Sequence, residues 1–104
     1  MILPIIGGTI NRMQVTYDQA KNERNITDRQ LPFGLASRFD FETAKLWQDT
    51  RREYPEDRWV AIGYLDNRLH VLMFSPTQRE IRIISFRKAN PREGKYHGFA
   101  LTSD

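Results

Sequence analysis

Six cationic side chains stand close together in this sequence: Arg79, Arg82, Arg87, Lys88, Arg92 and Lys95. Between Thr77 and Gly98 only Glu80 and Glu93 oppose them, so that stretch carries +4 in a chain whose formal total is +3. The remainder is about −1, and the basic pI near 9.5 is a local property. A local run of Lys and Arg is the electrostatic footprint of a surface that meets phosphate or nucleic acid. Arginine suits this chemistry because its guanidinium stays charged and its planar fork matches two phosphate oxygens at once. The competing reading is that these cations solvate a strand edge and a short helix, as charge runs commonly do.

Charges act together only where rigid elements hold them. Glu80 to Phe86 reads as a strand. Strict alternation would point Arg79, Ile81, Ile83, Ser85 and Arg87 one way, and Arg82, Ile84 and Phe86 the other. The three arginines then cannot share a face unless a bulge or a strand end redirects one. Arg79 and Arg87 are the expected pair, with Arg82 third. After the strand, Asn90-Pro91-Arg92-Glu93 has the form of an N-cap, a proline at N1 and a carboxylate at N3. This capping-box pattern predicts a short helix running to about His97. Gly94 weakens that helix by up to ~1 kcal/mol relative to Ala.

The elements upstream follow from the same rules. Trp59 to Leu65 and Leu69 to Phe74 read as strands joined by Asp66-Asn67, two residues that tolerate positive φ and suit a two-residue hairpin turn. Ser75-Pro76-Thr77-Gln78 turns the chain into the arginine-bearing strand, which gives a three-stranded antiparallel meander. The runs VLMF and IRII imply a sheet covered on one face and partly buried on the other. Ala44 to Asp49 alternates and predicts another strand, followed by a charged loop from Thr50 to Glu56. Gln14 to Tyr17 predicts a short strand, and Asp18 an N-cap for the helix QAKNERN. Tyr17, Ala20 and Arg24 share a face at helical spacing. Pro32 suits the first turn of a second helix, with Phe33 and Ala36, and Leu35 and Phe39, as apolar pairs facing the core. The order β-α-α-β-β-β-β-α predicts an α+β fold: an antiparallel sheet of about four to five strands, two N-terminal helices packed on it and a short C-terminal helix. Residues 13–98 form a single domain, which suits a chain of 104 residues. Residues 1–12, with Pro4, Gly7 and Gly8, read as a flexible lead-in, with Met13 as an alternative start. Residues 99–104 read as a frayed tail.

Composition removes several function classes. There is no cysteine, so a disulfide framework and a thiolate metal site are excluded, and a reducing cytoplasm fits. His70 and His97 are the two histidines, and neither has a spaced partner for a metal, so no metal or other cofactor is expected. No apolar run approaches the roughly 18–20 residues that cross a bilayer, so no membrane partner is expected. The opening MILPIIGGTIN has neither the basic lead nor the small-residue cleavage pattern of a signal peptide.

Three stretches together are more specific than composition. They are MQVTYDQAKNERNI, then EDRWVAIG with VLMFSPTQREIRIISFRKA, then NPREGKY. With Asp18, Lys21 and Asn25 spaced in the opening, this pattern over roughly residues 13–97 resembles the BrnT family of small bacterial ribonuclease toxins. The resemblance implies a fold akin to the RelE toxins, a basic groove on the sheet, and RNA cleavage without a metal. It also implies a cognate BrnA-like antitoxin with a ribbon-helix-helix part, DNA being reached only through that antitoxin. Two departures stand out. Asp28-Arg29-Gln30 occupies the place where the family usually has Lys-His-Gly, and Glu80 stands where Gly is common.

Metal-free RNA cleavage makes the 2′-OH attack its own neighbouring phosphate, with a base, an acid and cations around the phosphorane. The expected catalytic residues are Arg79, Arg87, Arg82, Glu93 and Tyr96. Lys21, Arg58, Lys88, Arg92 and Lys95 are expected to hold RNA. Each has an ordinary structural use as well. Arg87 suits pairing with a surface carboxylate, and Arg58, after Glu56 and Asp57, suits a structural ion pair. Glu93 serves the helix cap before any role as base. The Tyr96 ring packs as readily as its hydroxyl donates. Lys21 suits a solvated helix face. His97, with an ordinary pKa of about 6.5, has acid–base capacity but sits near an expected frayed end. His70, in mid-strand, suits a structural role. Trp47, Trp59 and Phe86 can stack on bases or fill the core. The leading expectation is a metal-independent endoribonuclease toxin. The alternative is a relative that binds RNA or antitoxin and has lost cleavage, which Asp28-Arg29-Gln30 favours.

Overall fold

The computed structural model describes residues 13–102. The lead-in expected at 1–12 lies outside the described residues. Five strands, β1 (Gln14–Tyr17), β2 (Lys45–Gln48), β3 (Trp59–Leu65), β4 (Arg68–Pro76) and β5 (Glu80–Lys88), form one sheet in the order β1-β5-β4-β3-β2. Helix α1 (Gln19–Arg29) follows β1, a 3-10 turn spans Phe33–Arg38, and helix α2 (Pro91–His97) follows β5. Asp66 and Asn67 have φ of 47° and 68°, the left-handed pair that the expected hairpin turn requires. Asp18 caps α1, its carboxylate accepting from the Lys21 N–H at 2.9 Å.

Two expectations are corrected. The sheet is mixed, not antiparallel. β1 runs parallel to β5, with Gln14 opposite Glu80 and Tyr17 opposite Ile83, while the other three pairings are antiparallel. Four residues that bond to a strand far along the chain carry no local mark of direction. The second N-terminal helix is a 3-10 turn. Phe33, Ala36 and Phe39, spaced by three, are all buried. Three residues per turn bring i and i+3 onto one line, so a 3-10 conformation buries all three where an α-helix would fan them out.

Both faces of the sheet are covered, which accounts for the consecutive apolar positions. On one face Phe33, Phe39 and Phe41 pack against Leu72, Phe74, Ile83 and Phe86. On the other, Ile62, Leu69 and Ala89 form a smaller cluster with Tyr64, Val71, Phe99 and Leu101. The expected loose tail is docked over residues 99–102. The Leu69 N–H donates to the Leu101 carbonyl at 2.7 Å, and Thr102 bridges to Arg68. Phe99 and Leu101 supply the apolar contacts that hold it.

The edge of β5 is protected in two pieces. β1 pairs with it only as far as Ile83. Beyond that, the buried Asn25 of α1 donates from Nδ2 to the carbonyls of Phe86 (3.0 Å) and Leu31 (2.8 Å). One side chain therefore satisfies a strand-edge acceptor that would otherwise be buried unpaired.

Candidate active site

The site begins with an irregularity in β5. Met73 of β4 faces Ser85, but the next residue, Phe74, faces Ile83, so Ile84 is an extra residue in β5. A bulge of this kind resets the alternation. Ile81, Ile83 and Phe86 all enter the large core. Arg82, opposite Ser75, and Arg87, opposite Val71, then share the other face. Strict alternation, which set Arg82 and Phe86 together and apart from Arg87, does not hold.

The α2 start aims Arg87. Asn90 accepts from the Glu93 N–H at 2.8 Å, and Glu93 Oε1 accepts from the Asn90 N–H at 3.0 Å, completing the predicted capping box. The same carboxylate takes a two-pronged bond from Arg87, Nη1 to Oε1 at 2.8 Å and Nη2 to Oε2 at 2.6 Å. Glu93 is thus a helix cap and the anchor of a guanidinium at once. Hydrogen bonding from Arg87, with help from the Asn90 N–H, holds its carboxyl down at about 2. A carboxylate so stabilised is a weak proton acceptor, so the geometry gives Glu93 a positioning role in place of a basic one. The same pairing raises the pKa of Arg87.

Arg87 and Glu93 line a cleft of about 390 Å³ together with Trp47, Val71, Met73 and His97. The imidazole of His97 lies flat on the Trp47 indole, with centroids 4.8 Å apart and planes 18° apart. Its Nδ1 is buried without a hydrogen-bond partner among the described residues. Desolvation, then the charge of Lys45, lowers the His97 pKa, with Glu93 opposing. His97 is accordingly neutral at neutral pH and can accept a proton. The far wall is Asp49, buried and held by Arg51 (Nε to Oδ1 and Nη2 to Oδ2, both 2.9 Å) and by the Tyr54 hydroxyl at 2.9 Å. These bonds, that of Arg51 first, push the Asp49 carboxyl far below the ordinary range.

The expected site residues separate. Arg87 and Glu93 meet in the cleft, and Arg82 is exposed on the same sheet face. Arg79 sits in the turn before β5, about 26 Å along the strand from Arg87 at 3.3 Å per residue, and is not brought together with it. Tyr96 is 82% exposed and stands edge-on to His97 at 4.9 Å. Arg92 and Lys95 are exposed on α2, and Lys88 is exposed opposite His70. Lys21 is exposed on α1, away from the cleft. Arg58 lies over the Tyr54 ring at 4.2 Å. Asp49 and Arg51 were not expected to line the site, whereas Trp47, which sequence left between stacking on bases and filling the core, does line it. Trp47 and His97 come together across the sheet, and nothing in their spacing announces it. Among the described residues, no group of His, Cys, Asp and Glu side chains could hold a metal ion. No described helix is long and apolar enough to cross a membrane.

A comparison with curated proteins gives no match. A family model described as the ribonuclease toxin BrnT of type II toxin–antitoxin systems matches residues 17–93, from the last residue of β1 to the carboxylate that anchors Arg87. The chain therefore belongs to the BrnT family of ribonuclease toxins of type II toxin–antitoxin systems.

Proposed function

We propose that this chain is an endoribonuclease toxin that cleaves RNA without a metal in the cleft between the sheet and α2, and that a cognate antitoxin neutralises it. The observation that carries this reading is one cleft holding a neutral imidazole on an aromatic floor and a guanidinium fixed by its own carboxylate. Arg87 spends three N–H donors, two on Glu93 and one on the Lys88 carbonyl. A guanidinium has five, so two remain for phosphate oxygens while the Glu93 pair stays closed. His97 takes the 2′-OH proton, the 2′ oxygen bonds to phosphorus, and the bond to the 5′ oxygen breaks. The hydroxyl of Tyr96, beside His97, supplies the proton to that leaving oxygen. The products are a 2′,3′-cyclic phosphate and a 5′-hydroxyl end. Arg82 continues the positive surface along the same face, with Arg92 and Lys95 on the rim. Arg79, Lys88 and Arg58 are outlying contacts to the RNA backbone.

A RelE-like arrangement, an antitoxin of the BrnA ribbon-helix-helix kind and a cytoplasmic setting belong to the same reading. The test is cleavage of single-stranded RNA by the purified chain in the presence of a chelator. Arg87→Ala should lower the rate by about 10²–10³ with the fold intact. An unchanged rate would remove Arg87 from the site, and activity lost to the chelator would remove the metal-free scheme. Retention of RNA without cleavage would favour a binding relative, the reading suggested by Asp28-Arg29-Gln30.

A further inference from the structure

A second groove opens where α1 meets the outer edge of β5. Lys21, Arg24, Asn25 and Arg29 line it from the helix, and Ile84 and Ser85, the bulge residues, line it from the strand. It continues into a shallow hollow formed by Arg29, Leu31, Arg87 and Lys88. Arg87 therefore borders both this hollow and the cleft that holds His97. Of the residues lining groove and hollow, five are cationic and one, Asp28, is a carboxylate.

The groove has an ordered centre. Asn25 is fixed to β5 and to the chain after α1 through its Nδ2, and its Oδ1 accepts from Arg29 Nη1 at 2.9 Å. That bond orients the Arg29 guanidinium and leaves most of its donors free. Lys21 and Arg24, one turn apart, are exposed on the same helix. A row of cations that leads to a phosphate-binding arginine suits a polyphosphate chain.

We infer that the α1–β5 groove is a second RNA-binding site, which takes the backbone of the single strand to one side of the bond that is cut. This rests on the proposed cleavage at Arg87. The groove supplies affinity for length and not chemistry, so its removal should raise KM on long RNA and leave kcat alone.

The experiment compares the chain with its Arg24→Gln/Arg29→Gln variant. Binding is measured on a 2′-O-methyl oligonucleotide that cannot be cleaved, at several salt concentrations. Two lost phosphate contacts should reduce the slope of log affinity against log salt by about 1.4. Cleavage is measured on a long single strand and on a dinucleotide. The variant should show a raised KM on the long strand and wild-type cleavage of the dinucleotide. Lys21→Gln/Arg24→Gln, which leaves the Asn25–Arg29 bond intact, should act in the same direction and guards against misfolding. An unchanged salt slope in both variants would overturn the inference, as would unchanged RNA binding with lost capture of the antitoxin, which would assign the groove to protein. Failure of the parent chain to cleave either substrate would count against the cleavage proposal alone, because the salt slope is read without turnover.

Discussion

At the scale of single residues, the site turns on two titrating groups whose pKa values are both lowered, which leaves the imidazole neutral and the carboxylate charged. His97 must be neutral to accept a proton, and burial against Trp47 lowers its pKa. The acid limb of kcat/KM should therefore fall below the ordinary histidine value of about 6.5, with activity level at neutral pH and lost as the imidazole protonates. His97→Gln should reduce cleavage by about 10²–10⁴ and abolish that limb. A limb that survives in the variant would assign it elsewhere. Glu93 is tuned to remain charged. Its folded value of about 2 lies below the ordinary 4.5, so its contribution is full above pH 4.5 and is lost as pH falls towards 2. After allowance for solvent screening this contribution is about 1 kcal/mol. Glu93→Gln should be less stable than the parent by that amount at pH 7 in urea denaturation, and the gap should narrow at pH 3. Cleavage by Glu93→Gln should keep the acid limb while its rate falls, because the residue positions Arg87 and does not take the proton.

At the scale of elements, the end of α1 explains one departure from the family pattern. Gln30 closes the helix at φ 56°, with its N–H donating to the Ile26 carbonyl. That left-handed position favours glycine, the residue the family resemblance places there. Gln30→Gly should stabilise the chain by about 1 kcal/mol, which for a domain of this size raises Tm by about 4–8 °C. A fall in Tm would mean that the Gln30 side chain has a contact worth more than the strain. The neighbouring departure is of another kind. Arg29 bonds Asn25, so the position serves the architecture of the α1–β5 seam as well as its charge. β5 shows the same economy: a single extra residue turns Arg82 and Arg87 to one face and keeps three apolar side chains in the core.

At the scale of the whole molecule, the docked segment 99–102 ties the last helix to the sheet centre. It covers the face cluster of Ile62, Leu69 and Ala89 on which α2 rests. Gly94 sits so near that a β-carbon there would lie 3.0 Å from the Phe99 carbonyl oxygen. Truncation after Gly98 removes the partly buried Phe99 and Leu101 and should cost about 2 kcal/mol of stability. It should also loosen His97, so activity should fall more than the folded fraction does, measured by cleavage against near-UV circular dichroism. Equal losses would show that the strap supports the fold alone.

The elements with strong local signals were legible before any fold was known. The Asp66-Asn67 turn, the capping box at Asn90 and Glu93, the Asp18 cap and the β3-β4-β5 meander rest on interactions within a few residues, so each could be read from spacing. The local concentration of Arg and Lys and the family resemblance were legible for the same reason. The other features arise from long-range contacts. The direction of β1, the bulge at Ile84, the 3-10 form of Phe33–Arg38 and the docking of residues 99–102 all depend on partners distant in the chain. The candidate site lies on that second list: Arg87 meets Glu93 by local geometry, but His97 reaches Trp47 only once the sheet has brought β2 and α2 together. Local rules fix what a residue can do, and long-range packing fixes which residues do it together.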